Sequence, residues 1–139
     1  MSRGKRIAVV EDDASMRRAV ERFLAAAGFQ ACPFGSSEAL LESDLAAHVS
    51  CLVADLHLPG MSGFELKQQL IRSGNPVPVI FITAHDEPAV RERALALGAV
   101  AYLVKPFDGQ LLIDAVARAL ERGGGCTAGE ARDRGPNSA

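Results

Sequence analysis

Three consecutive carboxylates, Glu11, Asp12 and Asp13, stand directly behind the apolar run RIAVV, and another, Asp55, ends the run CLVAD. Thr83 finishes VPVIFIT and Lys105 finishes AYLVK. Each follows a stretch with the composition of a buried strand, so wherever those strand ends gather, an acid, a hydroxyl and an ammonium gather too. Two carboxylates about 4 Å apart repel by about 4 kcal/mol at an effective dielectric near 20, so a cluster of Glu11, Asp12 and Asp55 calls for a proton or a cation. Oxygen donors without His or Cys side chains favour a hard ion, and Mg²⁺ commonly uses one or two carboxylates plus a phosphate. The Thr83 hydroxyl and the Lys105 ammonium are matched to phosphoryl oxygens. An Asp carboxylate flanked by Mg²⁺ and Lys can attack a phosphoryl donor and form an acyl phosphate. Asp13 has a different reading, as the cap of a helix starting near Ala14.

Five runs must carry these residues: RIAVV (6–10), FQACPF (29–34), CLVA (51–54), VPVIFIT (77–83) and AYLV (101–104). Each precedes a helix-like segment, and that alternation marks an α/β fold with a doubly wound parallel sheet and helices on both faces. Pro33 cannot donate to a ladder and pushes the second strand to an edge, which fits the order 2-1-3-4-5. That order puts the switch point between strands one and three, where such sheets bind ligands at their carboxyl ends. The first helix places Met16, Ala19, Val20, Phe23, Leu24 and Ala27 on one face and stops at Gly28. SSEALLESDLAA and GFELKQQLIRS read as the second and third helices. The fourth begins with Asp86 as cap and Pro88 in its first turn and ends at Gly98; the fifth begins at Asp108 and turns Leu112, Val116, Ala119 and Leu120 inward.

Composition sets the outer bounds. A chain of 139 residues with 48% apolar and 23% charged side chains is about one soluble domain long. A net charge of -2, with scattered basic residues, gives no electrostatic footprint for nucleic acid, and no direct nucleic-acid binding is expected. Cys32, Cys51 and Cys126 are odd in number and lack C-x-x-C pairing; the two inside apolar runs read as buried reduced thiols. No stretch resembles a leader or reaches the roughly 18 apolar residues of a membrane span, so a cytoplasmic protein is expected. The segment 123–139, GGGCTAGEARDRGPNSA, reads as a disordered tail or the start of a linker.

The ordered set VVEDD, LVADLHLPGMSG, IFITA and AYLVKPF, over about residues 5–122, resembles the receiver domain of two-component response regulators. The resemblance implies a flavodoxin-like fold and a phosphorelay switch rather than a turnover enzyme. It makes Asp55 the phosphoacceptor and gives Mg²⁺ to Glu11, Asp12, Asp55 and the backbone carbonyl of His57. Thr83 and Lys105 then bind the phosphoryl group, and the bond before Pro106 is cis, against the trans preference of X–Pro bonds in general. Thr83 and Tyr102 become the switch pair: the hydroxyl moves toward the phosphate while the ring turns inward. His57 and His85, two residues beyond Asp55 and Thr83, border the phosphate as modulators; His48 reads as an exposed loop residue. The implied partners are a sensor histidine kinase and an output domain or effector acting in transcription, reached through the helix 4, strand 5 and helix 5 surface, with a phosphorylation-dependent homodimer as one form. Two other readings stand beside it. An aspartyl phosphatase of the haloacid dehalogenase type needs a second Asp where His57 stands, and a phosphorylation-independent interaction module would not need Asp55, Thr83 and Lys105 intact. A flavin or dinucleotide site lacks its G-x-G-x-x-G and meets an acidic cluster instead.

Overall fold

A computed structural model describes residues 4–124. Five strands, β1 (Arg6–Val10), β2 (Gln30–Phe34), β3 (Cys51–Asp55), β4 (Val79–Thr83) and β5 (Ala101–Val104), alternate with five helices. These are α1 (Ala14–Ala26), α2 (Ser37–Glu42), α3 (Gly63–Arg72), α4 (Pro88–Ala96) and α5 (Gly109–Gly124). All paired strands are parallel, in the order β2-β1-β3-β4-β5. The expected doubly wound, flavodoxin-like sheet is thus present, with Pro33 on the edge strand.

The two faces of the sheet carry separate apolar layers. Ala8, Val10, Leu52, Ala54, Val79 and Phe81 pack with Leu66 and Leu70 of α3. Ile7, Val9, Val53, Ile80 and Ile82 pack with Val20 and Leu24 of α1 and Leu112, Val116 and Ala119 of α5. Strands covered on both faces lose the alternation of a half-exposed sheet, which is why β3 and β4 are buried at every position. Cys32 and Cys51 are buried free thiols, and burial pushes Cys51 up to about 12. Cys126 lies outside the described residues. So does most of the expected tail: residues 123 and 124, assigned to it, instead complete α5.

Several local expectations are corrected. The second helix breaks at Ser43, whose hydroxyl donates to the Leu40 carbonyl (2.7 Å) and accepts from the Leu45 N–H (3.2 Å), ending α2 and starting a 3₁₀ turn over Asp44–Ala47. The cap residue of α4 is Glu87, not Asp86, and its side chain makes no capping bond; Asp86 instead holds the Arg91 guanidinium at 3.2 Å. Phe23 is 39% exposed rather than inward, its ring lying against Gly109, where α5 begins. Lys105 lies one residue beyond β5, and β2 and β4 begin at Gln30 and Val79, later than their apolar runs suggest. Among the described residues no helix is long and apolar enough to cross a membrane.

Candidate functional site at the carboxyl edge of the sheet

Register brings the chemistry together. Val10 pairs with Ala54 and Asp55 with Ile82, so Glu11 and Asp55 leave adjacent strands at nearly the same height. Lys105 joins them from the far side, because its N–H donates to the Thr83 carbonyl (2.8 Å) at the end of β4. Its ammonium donates to Glu11 Oε1 and Asp55 Oδ2, both at 2.7 Å. The Lys105–Pro106 bond is cis. One carboxylate oxygen each from Glu11, Asp12 and Asp55 lies within 4.8 Å of the others. Glu11 and Asp55 are buried, whereas Asp12 is exposed at the mouth.

The second oxygen of each buried carboxylate is met by backbone. Asp55 Oδ1 accepts from the His57 N–H (2.8 Å) and Glu11 Oε2 from the Asp13 N–H (3.1 Å). Arg17 of α1 donates to the Glu11 carbonyl (2.8 Å), fixing the turn that aims Glu11 inward. Asp13 does the separate job expected of it: as the cap of α1, its carboxylate accepts from the N–H groups of Ser15 (2.9 Å) and Met16 (3.4 Å).

Charge decides what the cluster can hold. Three carboxylates and one ammonium leave two negative charges when all are ionised, the amount one divalent ion cancels. An all-oxygen donor set of this kind fits Mg²⁺. Burial pushes Glu11 up from 4.5 to about 7, against the bonds from Lys105 and the Asp13 N–H, with the Asp55 charge adding to the rise. Burial disfavours the Lys105 ammonium, but its bonds to Asp55 and Glu11 outweigh that and raise its pKa. Because the folded state binds the Glu11 proton more tightly than the unfolded chain, this group's contribution to stability is full below 4.5 and declines as pH rises through about 7. Its full size is on the order of 3 kcal/mol. Urea unfolding in EDTA from pH 5 to 8 is expected to show that decline in the native protein and a flatter profile in Glu11→Gln; matching profiles would refute it.

Two supports of the Asp55 loop were not evident from sequence. Glu38 of α2 reaches across to accept from the Met61 N–H (2.9 Å), a bond that lowers its pKa. The same carboxylate fills the space beside Gly60, whose φ of 76° suits glycine. Gly63 opens α3 directly on β3: a Cβ there would stand 2.6 Å from the Asp55 carbonyl oxygen and 3.2 Å from Leu56 Cα. Neither neighbour is a flexible side chain. Gly63→Ala is therefore expected to cost about 1–3 kcal/mol and to displace the Asp55 backbone, read as a lower thermal midpoint with weaker Mg²⁺ binding.

Thr83 closes β4 and Tyr102 lies in the neighbouring β5. The buried Thr83 hydroxyl accepts from the His85 N–H (3.0 Å) and donates to the His85 carbonyl (3.3 Å), so it is engaged with its own turn. Tyr102 is already inward, 8% exposed, with the Arg91 guanidinium 4.6 Å from its ring centre and no hydrogen-bond partner for its hydroxyl. His57 and His85 are exposed and face each other across the mouth, and His48 is exposed on its loop.

Comparison with known proteins agrees with this geometry. A family model for the response regulator receiver domain matches residues 7–117. Nodulation protein W of Bradyrhizobium diazoefficiens is 44% identical over 114 residues, covering 82% of this chain and 50% of that protein. Transcriptional regulatory protein FixJ of the same organism is 32% identical over 116 residues, covering 84% of this chain and 57% of that one. The chain thus spans about half the length of these relatives. A response regulator receiver protein from Burkholderia phymatum superposes with a TM-score of 0.71 at 42% identity, over 84% of this chain and 94% of that one. With its sheet order, its acidic edge and these matches in accord, the chain belongs to the receiver domains of two-component response regulators.

Proposed function

We propose that this receiver takes a phosphoryl group from the phosphohistidine of a sensor histidine kinase onto Asp55. An Asp55 oxygen attacks phosphorus, the P–N bond of the donor breaks, and an acyl phosphate forms while the imidazole leaves. The observation that carries this reading is the setting of Asp55: a buried carboxylate whose oxygens are fixed by the Lys105 ammonium and the His57 N–H beside Glu11 and Asp12. Mg²⁺ would be held by Asp12, Asp55, Glu11 and the His57 carbonyl and would supply charge neutralisation on the phosphoryl oxygens. Lys105, already on Asp55, neutralises further charge without crossing the site. The protein works as a switch that carries and loses one phosphoryl group, not as a turnover enzyme.

Switching follows from what Thr83 gives up. The new group adds a charge of about -1.5 to -2, which attracts the Thr83 hydroxyl away from the His85 backbone. Tyr102 needs no inward rotation, so the phosphoryl group acts mainly on the β4–α4 turn and, through Arg91, on the surface of α4, β5 and α5. That surface then controls an output domain or effector, as befits relatives named as transcriptional regulators. Phosphorylation-dependent homodimerisation is one means, a membrane or nucleic-acid contact by this chain is not, and the setting is cytoplasmic.

The test is incubation with labelled acetyl phosphate and Mg²⁺. One equivalent of hydroxylamine-sensitive label, mapped to the peptide containing Asp55 and lost in EDTA, is expected. Label that is acid-stable, or that maps elsewhere, refutes the proposal. Sedimentation with and without beryllofluoride reads the dimer.

A further inference from the structure

We propose that the imidazoles of His57 and His85 form a binding site for a borderline divalent ion such as Zn²⁺ or Ni²⁺, placed over the mouth of the Asp55 cleft. The two residues are far apart in sequence but leave neighbouring strands, β3 and β4, each two positions beyond a site residue. Their ring centres are 5.2 Å apart with planes at 87°. A metal–nitrogen bond of about 2.0–2.1 Å plus about 1.1 Å from nitrogen to ring centre puts two imidazoles sharing one tetrahedral ion about 5 Å apart, centre to centre. The pair already has that separation.

Organisation and access both favour binding. The His57 N–H is anchored on Asp55 Oδ1 (2.8 Å), and the N–H and carbonyl of His85 are both tied to the Thr83 hydroxyl, so the two backbones are fixed before an ion arrives. Both side chains are exposed, which leaves the rings free to turn a nitrogen toward the ion. Imidazole selects Zn²⁺, Ni²⁺ or Cu²⁺, whereas the carboxylates below select hard ions, so the two sites take different metals. The other coordination positions go to water or to a phosphoryl oxygen. One consequence rests on the phosphoacceptor reading above: an ion across the mouth stands in the donor's path and slows labelling of Asp55.

Calorimetry with Zn²⁺, in buffer holding saturating Mg²⁺ to fill the acidic cluster, tests the site. One equivalent is expected for the native chain. Loss of even an outer partner of a metal ligand costs about 10–100-fold in affinity, so His57→Gln with His85→Gln should lose at least that much, and His48→Gln, an exposed histidine outside both sites, should bind as before. Equal Zn²⁺ binding by the double variant, or its loss in His48→Gln, places the ion away from the His57–His85 pair and overturns the proposal. In the labelling assay Zn²⁺ should slow the native chain and spare the double variant. Failure of the native chain to label without Zn²⁺ would sink the phosphoacceptor reading, while calorimetry still decides the metal site.

Discussion

Asp55→Asn is expected to bring Mg²⁺-dependent labelling by acetyl phosphate to background, a loss of about a thousandfold or more, with the protein fully folded. The amide keeps the size of the carboxylate and an oxygen that can accept from the His57 N–H, which Asp55 Oδ1 does at 2.8 Å. It lacks the anionic oxygen that attacks phosphorus. Removing this charge also removes one of three carboxylates whose oxygens lie within 4.8 Å of each other, and it leaves Lys105 with Glu11 at 2.7 Å. Repulsion falls while the remaining ion pair stays, so the thermal midpoint in EDTA should hold or rise. The combination matters, because a variant that simply misfolded would lose labelling and stability together. Intact mass measurement after exposure to the donor reads the first quantity and a thermal melt the second. Retained phosphorylation would remove Asp55 from the acceptor role.

The parts of this arrangement legible in the sequence are those set by local pattern. β-branched runs at even spacing give the strands, and Pro33 fixes which one lies at the edge. The division inside Glu11-Asp12-Asp13 was legible for the same reason: a strand ending at Val10 and a helix starting at Ala14 leave Asp13 in the capping position. What was not legible depends on partners distant in sequence or on competition within one turn. Glu38 supports Met61 across 23 residues, a contact set by how α2 packs rather than by anything near Asp55. Ser43 offers its hydroxyl to the Leu40 carbonyl and so ends a helix whose apolar pattern continues beyond it. Thr83 is the instructive case, since its position was expected and its engagement was not: the His85 N–H is closer in sequence than any ligand and takes the hydroxyl first. The His57–His85 pair follows the same logic, because only the parallel register of β3 and β4 makes neighbours of them.

Lys105→Met should expose what the ammonium does for the fold as distinct from the reaction. Among the described residues it is the cation bonded to both Glu11 and Asp55, whose side chains are 1% and 7% exposed. Methionine keeps much of the apolar stem, so the main loss is electrostatic. Removing one partner from a buried ionic cluster costs about 3–5 kcal/mol, because charges are left without compensation. Glu11, already pushed up to about 7 by burial, relieves the cluster by taking a proton. Losing Lys105 raises it further, so the folded state holds that proton over a wider range than the unfolded chain. The loss of stability in EDTA should therefore be small near pH 5 and larger at pH 8, where keeping the proton is costly. Mg²⁺ restores compensating charge at the same oxygens and should recover most of the difference. Labelling should stay low even so, since stability regained through Mg²⁺ does not replace an ammonium aimed at the phosphoryl group. Urea unfolding at both pH values, with EDTA or millimolar Mg²⁺, separates these effects. A loss equal at both pH values and untouched by Mg²⁺ would mean that Lys105 acts through packing, and the charge account of the site would fall.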